Sequence, residues 1–211
     1  MHTPSTVVVS GLPRSGTSLM MRMLGAGGLP LLVDSSRTAD SFNPDGYHEY
    51  APIRHLGRGG AWPEDAAGRA VKVVFPLIRH LPSAFRGVVL VMRRSLIEIA
   101  RSQAEMLGRR GDEEITRIIR LSASTLEASR AWLWARPRIP VLEVHYEALC
   151  AAPDSQCRRI AAFLDRPMDI EAMKACVRPP RMREGTGGFV GGVAEEDADG
   201  AADDAAVEDA G

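Results

Sequence analysis

The run Gly11-Leu12-Pro13-Arg14-Ser15-Gly16-Thr17-Ser18 lies between an apolar stretch, Thr6-Val7-Val8-Val9-Ser10, and a helix-forming segment, Leu19-Met20-Met21-Arg22-Met23-Leu24. That order predicts a strand, a tight loop and a helix beginning near Thr17. Two glycines let the backbone turn with its amides facing inward, and the helix start adds the positive end of its dipole, so the turn is built to receive an anion. The spacing of Gly11 and Gly16 is that of the Gly-x-x-x-x-Gly-Lys-Ser/Thr nucleotide loop, but Thr17 stands where the lysine belongs. The cation has moved to Arg14.

Further along, short apolar runs alternate with helical patterns, which predicts an α/β fold of three layers, a central parallel sheet flanked by helices. Strands are expected near Val7 to Ser10, Ala70 to Phe75, Val88 to Met92 and Val141 to Val144. Helices are expected at about Tyr50 to Leu56, Ser95 to Leu107, Asp112 to Ala135, Pro153 to Leu164 and Asp169 to Val177. Gly57-Arg58-Gly59-Gly60 and Gly185-Thr186-Gly187-Gly188 read as loops, and Pro179-Pro180 as the end of the folded core. In the long fourth helix, Ile115, Ile118, Ile119, Leu121, Leu126, Trp132 and Leu133 are expected to face the core, its tryptophans serving as packing.

Charge divides the chain. The segment 191–211 holds 8 of the 27 acidic residues and no basic one, which leaves 26 basic against 19 acidic side chains in the preceding 190 residues. We expect residues 1–190 to form one basic α/β domain and 191–211 a disordered acidic tail, because alanine, glycine and acids bury too little to offset ordering entropy. All the basic residues but Lys72 and Lys174 are arginine, a side chain suited to gripping phosphate and sulfate in a fork. The three cysteines form no Cys-x-x-Cys pair and no histidine stands at zinc spacing, so neither a disulfide framework nor a metal site is expected. The first residues lack a basic stretch followed by a long apolar one, so the expectation is a cytoplasmic protein without a membrane span.

A second informative stretch is Val88-Val89-Leu90-Val91-Met92-Arg93-Arg94, a buried strand ending in arginine, followed at once by a helix that carries Ser102. Arg94 and Ser102 are eight positions apart, so two helical turns bring the hydroxyl back to the arginine's side. Arg93 is the neighbouring alternative for an arginine so placed, and the eight-residue spacing selects Arg94. Between the two cationic stretches lies Asn43-Pro44-Asp45-Gly46-Tyr47-His48-Glu49, a turn carrying a carboxylate. His48 lies in the same turn and His55 in the helix expected after it. Lys72, inside an apolar strand, needs an anionic partner.

Taken together, the Pro-Arg-Ser-Gly-Thr-Ser turn and the Arg94/Ser102 pair resemble the donor site of bacterial P-loop-type sulfotransferases, which use 3′-phosphoadenosine 5′-phosphosulfate (PAPS). The Asn-Pro-x-Gly-Tyr/Phe-x-Glu segment and Val144-His145-Tyr146-Glu147-Ala148-Leu149 with Pro153 and Phe163-Leu164 are similar to further stretches of that family. The resemblance runs from about Thr6 to Arg183, and Arg183-Glu184-Gly185 is a loose substitute for the family's late donor loop. It implies that Arg14, Ser15, Gly16, Thr17 and Ser18 bind the 5′-phosphosulfate and that Arg94 and Ser102 bind the 3′-phosphate. It also implies Glu49 as the base, with Arg14 and Lys72 stabilising the leaving oxygen and no metal required. Tyr146 and Glu147 are expected to be structural. The cytosolic small-molecule branch places a histidine where Val74 stands, so its mechanism does not fit.

The implied reaction is sulfuryl transfer to a hydroxyl or amine of a small molecule, glycan or peptide, with no nucleic-acid partner. Two other readings remain. A P-loop kinase or NTPase would need the lysine missing at Thr17 and an acidic residue at a strand end, where Met92-Arg93-Arg94 and Phe75-Pro76 offer none. A catalytically inactive nucleotide-binding protein of the same fold is the other.

Overall fold

Residues 5–109 and 111–178 are described by a computed structural model of the chain. The apolar runs form four strands: β1 (Thr6–Gly11), β2 (Ala70–Lys72), β3 (Gly87–Arg93) and β4 (Val141–His145). All pairings are parallel, in the order β2-β1-β3-β4, with Val8 opposite Val71 on one side and Val89 on the other. A strand covered on both faces reads as a continuous hydrophobic run, which is why Val7, Val8 and Val9 are all buried. Side chains alternate between the faces. Val8, Val71, Val89 and Val91 join one core cluster, and Val7, Val9, Leu90 and Met92 join the other.

On the second of these faces lie α1 (Thr17–Ala26), α4 (Tyr146–Ala151), α5 (Pro153–Leu164) and α6 (Ile170–Ala175), contributing Met20, Met23, Leu24, Leu149, Ile160 and Met173. The first is covered by α2 (Leu96–Met106), α3 (Asp112–Trp134) and short 3-10 segments, through Ile53, Leu56, Ile78, Ile99 and Leu133. The architecture is therefore the expected three-layer α/β sandwich around a parallel sheet. Residues 191–211, Pro179-Pro180 and the late glycine loop lie outside the described residues, as does the expected domain boundary.

Several local expectations need correction. β2 stops at Lys72 rather than Phe75, because the chain turns ahead of Pro76, with the Leu77 amide donating to the Val74 carbonyl at 2.8 Å. Even so, the Val73 and Phe75 amides still reach the carbonyls of Val9 and Gly11, each at 2.9 Å, so the segment stays fastened to β1. The expected helix at Tyr50 is a 3-10 segment, Ala51–Arg58, which absorbs Gly57 and Arg58 and ends on a left-handed Gly59. The stretch α4 follows β4 without a connecting loop, a helix too short to announce itself by periodicity. On α3, Ile118 and Leu133 are buried together with Ser122 and Ser129, and Ile115, Ile119 and Leu126 pack against the core as expected, whereas Leu121 and Trp134 are more than half exposed. Leu121 therefore faces away from the core, and of the tryptophans on this helix Trp132 packs against it.

Candidate functional site

The loop between β1 and α1 sits at the C-terminal edge of the sheet, where open α/β folds bind ligands. Its shape depends on backbone conformations open to few residues. Gly11 has φ 140°, and a Cβ there would lie 2.6 Å from the Met92 carbonyl oxygen and 2.6 Å from Ser15 Oγ. Arg14 and Gly16 are both left-handed, at φ 73° and 101°, and the Ser15 amide closes the turn on the Leu12 carbonyl at 3.1 Å. Alternating handedness of this kind makes a concave nest of amides, and the first-turn amides of α1 have no acceptor within the helix. Ser15 is fully buried and its Oγ has no hydrogen-bond partner among the described residues. A cradle with an unsatisfied buried hydroxyl is suited to an oxyanion. Thr17, also buried, begins the helix.

Helix α2 straps this loop from outside. Arg14 Nε donates to Ser102 Oγ at 2.9 Å, Arg94 donates to the Arg14 carbonyl at 3.2 Å, and Gln103 Nε2 donates to the Pro13 carbonyl at 3.1 Å. Arg94 and Ser102, eight residues apart, thus meet at Arg14. The Arg94 guanidinium also lies 4.6 Å above the Tyr146 ring and 3.6 Å from Glu98. Arg93 turns the other way, to Glu143 at 3.1 Å, as alternation along a strand requires. Arg14 reaches over to Ser102 and the Phe42 carbonyl, so its guanidinium lies toward α2.

On the opposite flank, Lys72 at the end of β2 is almost fully buried and aims at the start of α1. Its Nζ donates to Ser18 Oγ at 3.2 Å and to the Tyr47 carbonyl, and it lies 3.4 Å from Glu49 Oε1. Burial pushes the Lys72 amine below its ordinary value, while the Glu49 charge and hydrogen bond push it back up. Asn43 Nδ2 donates to Ser18 Oγ at 3.2 Å, which ties the Asn-Pro-Asp-Gly turn to the same helix start. Of the site residues expected from the sequence, Arg14, Arg94 and Ser102 meet in one cluster and Ser18, Lys72 and Glu49 in another, while Ser15, Gly16 and Thr17 form the loop and helix start themselves.

Other neighbours were not legible in the sequence. Arg37 and Arg54 reach Glu49 at 3.3 and 3.0 Å, so three cations ring one carboxylate. Tyr47 lies under the Arg37 guanidinium, 3.3 Å from ring centroid to carbon, and its hydroxyl donates to Asp40 at 2.6 Å. Burial and this acceptor raise the phenol above its ordinary value. Tyr146 does more than brace β4, since a Cβ on Gly16 would stand 2.8 Å from its ring. Glu147 accepts from the Ser95 amide at 3.0 Å and holds the start of α2. His48 has a left-handed backbone, and its Nε2 is buried without a partner among the described residues. Burial is the main cause holding its imidazole below the ordinary histidine value, with the Lys72 charge next.

No protein-family profile matches the chain, and no curated protein matches it by sequence. Its fold is similar to that of sulfotransferase STF1 from Mycobacterium tuberculosis H37Rv, with a TM-score of 0.56 at 15% identity over 83% of this chain and 71% of that one. It is also similar to the sulfotransferase domain from the curacin biosynthetic pathway, with a TM-score of 0.52 at 16% identity over 90% and 82% of the two chains. The sulfotransferase domain of the olefin synthase from Synechococcus PCC 7002 gives 0.50 at 17% identity over 82% and 77%. The chain shares the P-loop-like α/β fold of these sulfotransferases. Among the described residues no helix is long and apolar enough to cross a membrane, and no group of three or more His, Cys, Asp or Glu is placed to hold a metal ion.

Proposed function

We propose that the protein is a sulfotransferase that moves a sulfuryl group from PAPS to a hydroxyl or amine acceptor. The observation that carries this reading is an anion cradle, with Ser15 Oγ unsatisfied inside it, joined through Arg14 to a separate guanidinium and hydroxyl pair, Arg94 and Ser102. Two anion sites joined by one loop suit a nucleotide with phosphates on both its 5′ and 3′ positions. A kinase reading has less support, because β2 and β3 end in Lys72 and Arg93 rather than in a carboxylate for magnesium.

In this reading the amides of Ser15, Gly16, Thr17 and Ser18 hold the 5′-phosphosulfate, and Arg94 with Ser102 holds the 3′-phosphate. The acceptor oxygen or nitrogen attacks sulfur in line with the bridging oxygen. The new bond to sulfur forms as the bond from sulfur to that oxygen breaks, leaving 3′-phosphoadenosine 5′-phosphate and the sulfated acceptor. Glu49 takes the acceptor's proton. Lys72, beside Ser18 and Glu49, faces the departing oxygen and neutralises the charge developing there. Arg14 contributes from the other flank once released from Ser102.

Titration calorimetry with 3′-phosphoadenosine 5′-phosphate, and separately with ATP and magnesium, tests the donor. Selective binding of the former supports the proposal, and preference for ATP overturns it in favour of a kinase. Transfer from sulfur-35-labelled PAPS to an acceptor panel tests the chemistry. Glu49→Gln is expected to lower turnover by about 100-fold or more with donor affinity preserved. Tight donor binding with no product from any acceptor would favour an inactive nucleotide-binding protein.

A further inference from the structure

Glu49 needs one cation, and Lys72 supplies it from the buried side. The two further arginines come from separate segments, Arg37 from the stretch after Leu32 and Arg54 from the 3-10 segment, and meet on the solvent side of the same carboxylate. Their side chains are 39% and 48% exposed. Exposed ion pairs of this kind add little stability, so fold maintenance does not account for two of them at one acid. Arg37 gives one nitrogen to Glu49 and rests its face on Tyr47, while Arg54 gives one nitrogen to Glu49 and shares it with Ser36 Oγ at 3.4 Å. A guanidinium has five N–H donors, so each arginine has donors beyond the nitrogen it gives to Glu49. Two further carboxylates feel these charges, Asp34 that of Arg54 and Asp40 that of Arg37, but each takes its hydrogen bonds from other groups. Asp34 accepts from the Ser36 and Ala51 amides, and Asp40 from the Phe42 and Asn43 amides and the Tyr47 hydroxyl.

We infer that the acceptor is an anion, a hydroxyl- or amine-bearing molecule with a carboxylate or equivalent oxyanion that Arg37 and Arg54 hold next to Glu49. This rests on the sulfotransferase reading of the site. A neutral acceptor settling against Glu49 would strip water from two guanidinium groups and return nothing, whereas a planar carboxylate matches their fork geometry. It would also place the acceptor's reactive group beside the proposed base by a two-point grip. Arg37, held by Tyr47, supplies the fixed point.

The test compares 4-hydroxybenzoate with 4-hydroxybenzyl alcohol, probes that differ in the carboxylate. Binding to the full chain is followed by ligand-observed NMR, first without donor product and then with saturating 3′-phosphoadenosine 5′-phosphate. The wild type is expected to favour the carboxylate probe by roughly tenfold or more, and the Arg37→Gln/Arg54→Gln double variant to lose that preference while still binding 3′-phosphoadenosine 5′-phosphate. Single Arg→Lys variants, which keep the charge and guard against loss of the fold, should retain part of it. Equal binding of both probes to the wild type, or an unchanged preference in the double variant, overturns the inference. A carboxylate preference without any donor-product binding would instead count against the sulfotransferase reading, so the two failures are distinguishable.

Discussion

Arg14 and Ser102 are joined by a hydrogen bond of 2.9 Å across 88 positions of sequence, and that bond is the clasp between the anion loop and α2. Whatever binds both must break or share it. Ser102→Ala should therefore weaken 3′-phosphoadenosine 5′-phosphate by about tenfold and adenosine 5′-phosphate, which lacks the 3′ group, by about twofold or less. Arg94→Ala should cost more, about 1.5–3 kcal/mol, because a charge-assisted bond is lost. Calorimetry on the two ligands checks both, and equal losses for both nucleotides would remove the 3′-phosphate from this pair.

The loop's geometry depends on the absence of a side chain at Gly11. Gly11→Ala would drive a Cβ to 2.6 Å from the Met92 carbonyl oxygen at a φ of 140°, so it should destabilise the protein by about 2 kcal/mol or more. Gly111→Ala is the control, since its φ of −69° suits any residue and nothing lies near the new methyl; as the N-cap of α3 it should lose only the cap preference for glycine, about 1 kcal/mol or less, and so stay below the loss at Gly11. Urea unfolding of both variants gives the comparison.

Lys72 predicts an alkaline signature. Its folded-state value lies below 10.5, so between that value and 10.5 the unfolded chain binds more protons than the folded one, and stability rises with pH across the window. Tyr47 works in the opposite sense above 10.0 and lies beside Lys72, so the comparison is read below that pH. The stability difference between wild type and Lys72→Met, measured by urea unfolding from pH 8 upward, should shift in favour of the wild type as pH rises. A flat difference would mean that Lys72 is not desolvated.

His48 predicts an acid signature. Its imidazole is held below 6.5, so as pH falls below 6.5 the unfolded state gains a proton that the folded state refuses, and stability declines until the folded value is passed. The charged groups facing it are Lys72, Arg22 and Asp45, and Arg22 pairs with Asp45. Thermal unfolding between pH 7 and 5 should show a shallower decline for His48→Gln than for the wild type. Parallel curves would count against a desolvated imidazole.

Legibility followed periodicity and spacing. β1 and β3 could be read because a strand buried on both faces is an unbroken apolar run, and α5 because Pro153 starts it at a position that needs no amide donor. The choice of Arg94 over Arg93 needed only the eight-residue step to Ser102. Lys72 announced that it needed a partner, because an ammonium in an apolar strand cannot stay unpaired. What could not be read came from contacts between segments with no shared period. The meeting of Arg37 and Arg54 at Glu49 depends on how two irregular stretches fold back, and in a chain where arginine supplies nearly all the positive charge no single arginine stands out. Tyr146 looked like a brace because α4, at six residues, is too short to reveal which face meets the loop.

β1 is paired along both edges, whereas the stretch from Asp34 to Glu49 is secured to the rest largely by side chains and isolated contacts. The two parts of the site are thus unequal in how freely they can change over evolutionary time. Substitutions beneath the cradle disturb three neighbouring strands at once, while those along the rim exchange one salt bridge or turn for another. Lineages descending from such a chain could vary the rim widely while inheriting one unaltered cradle.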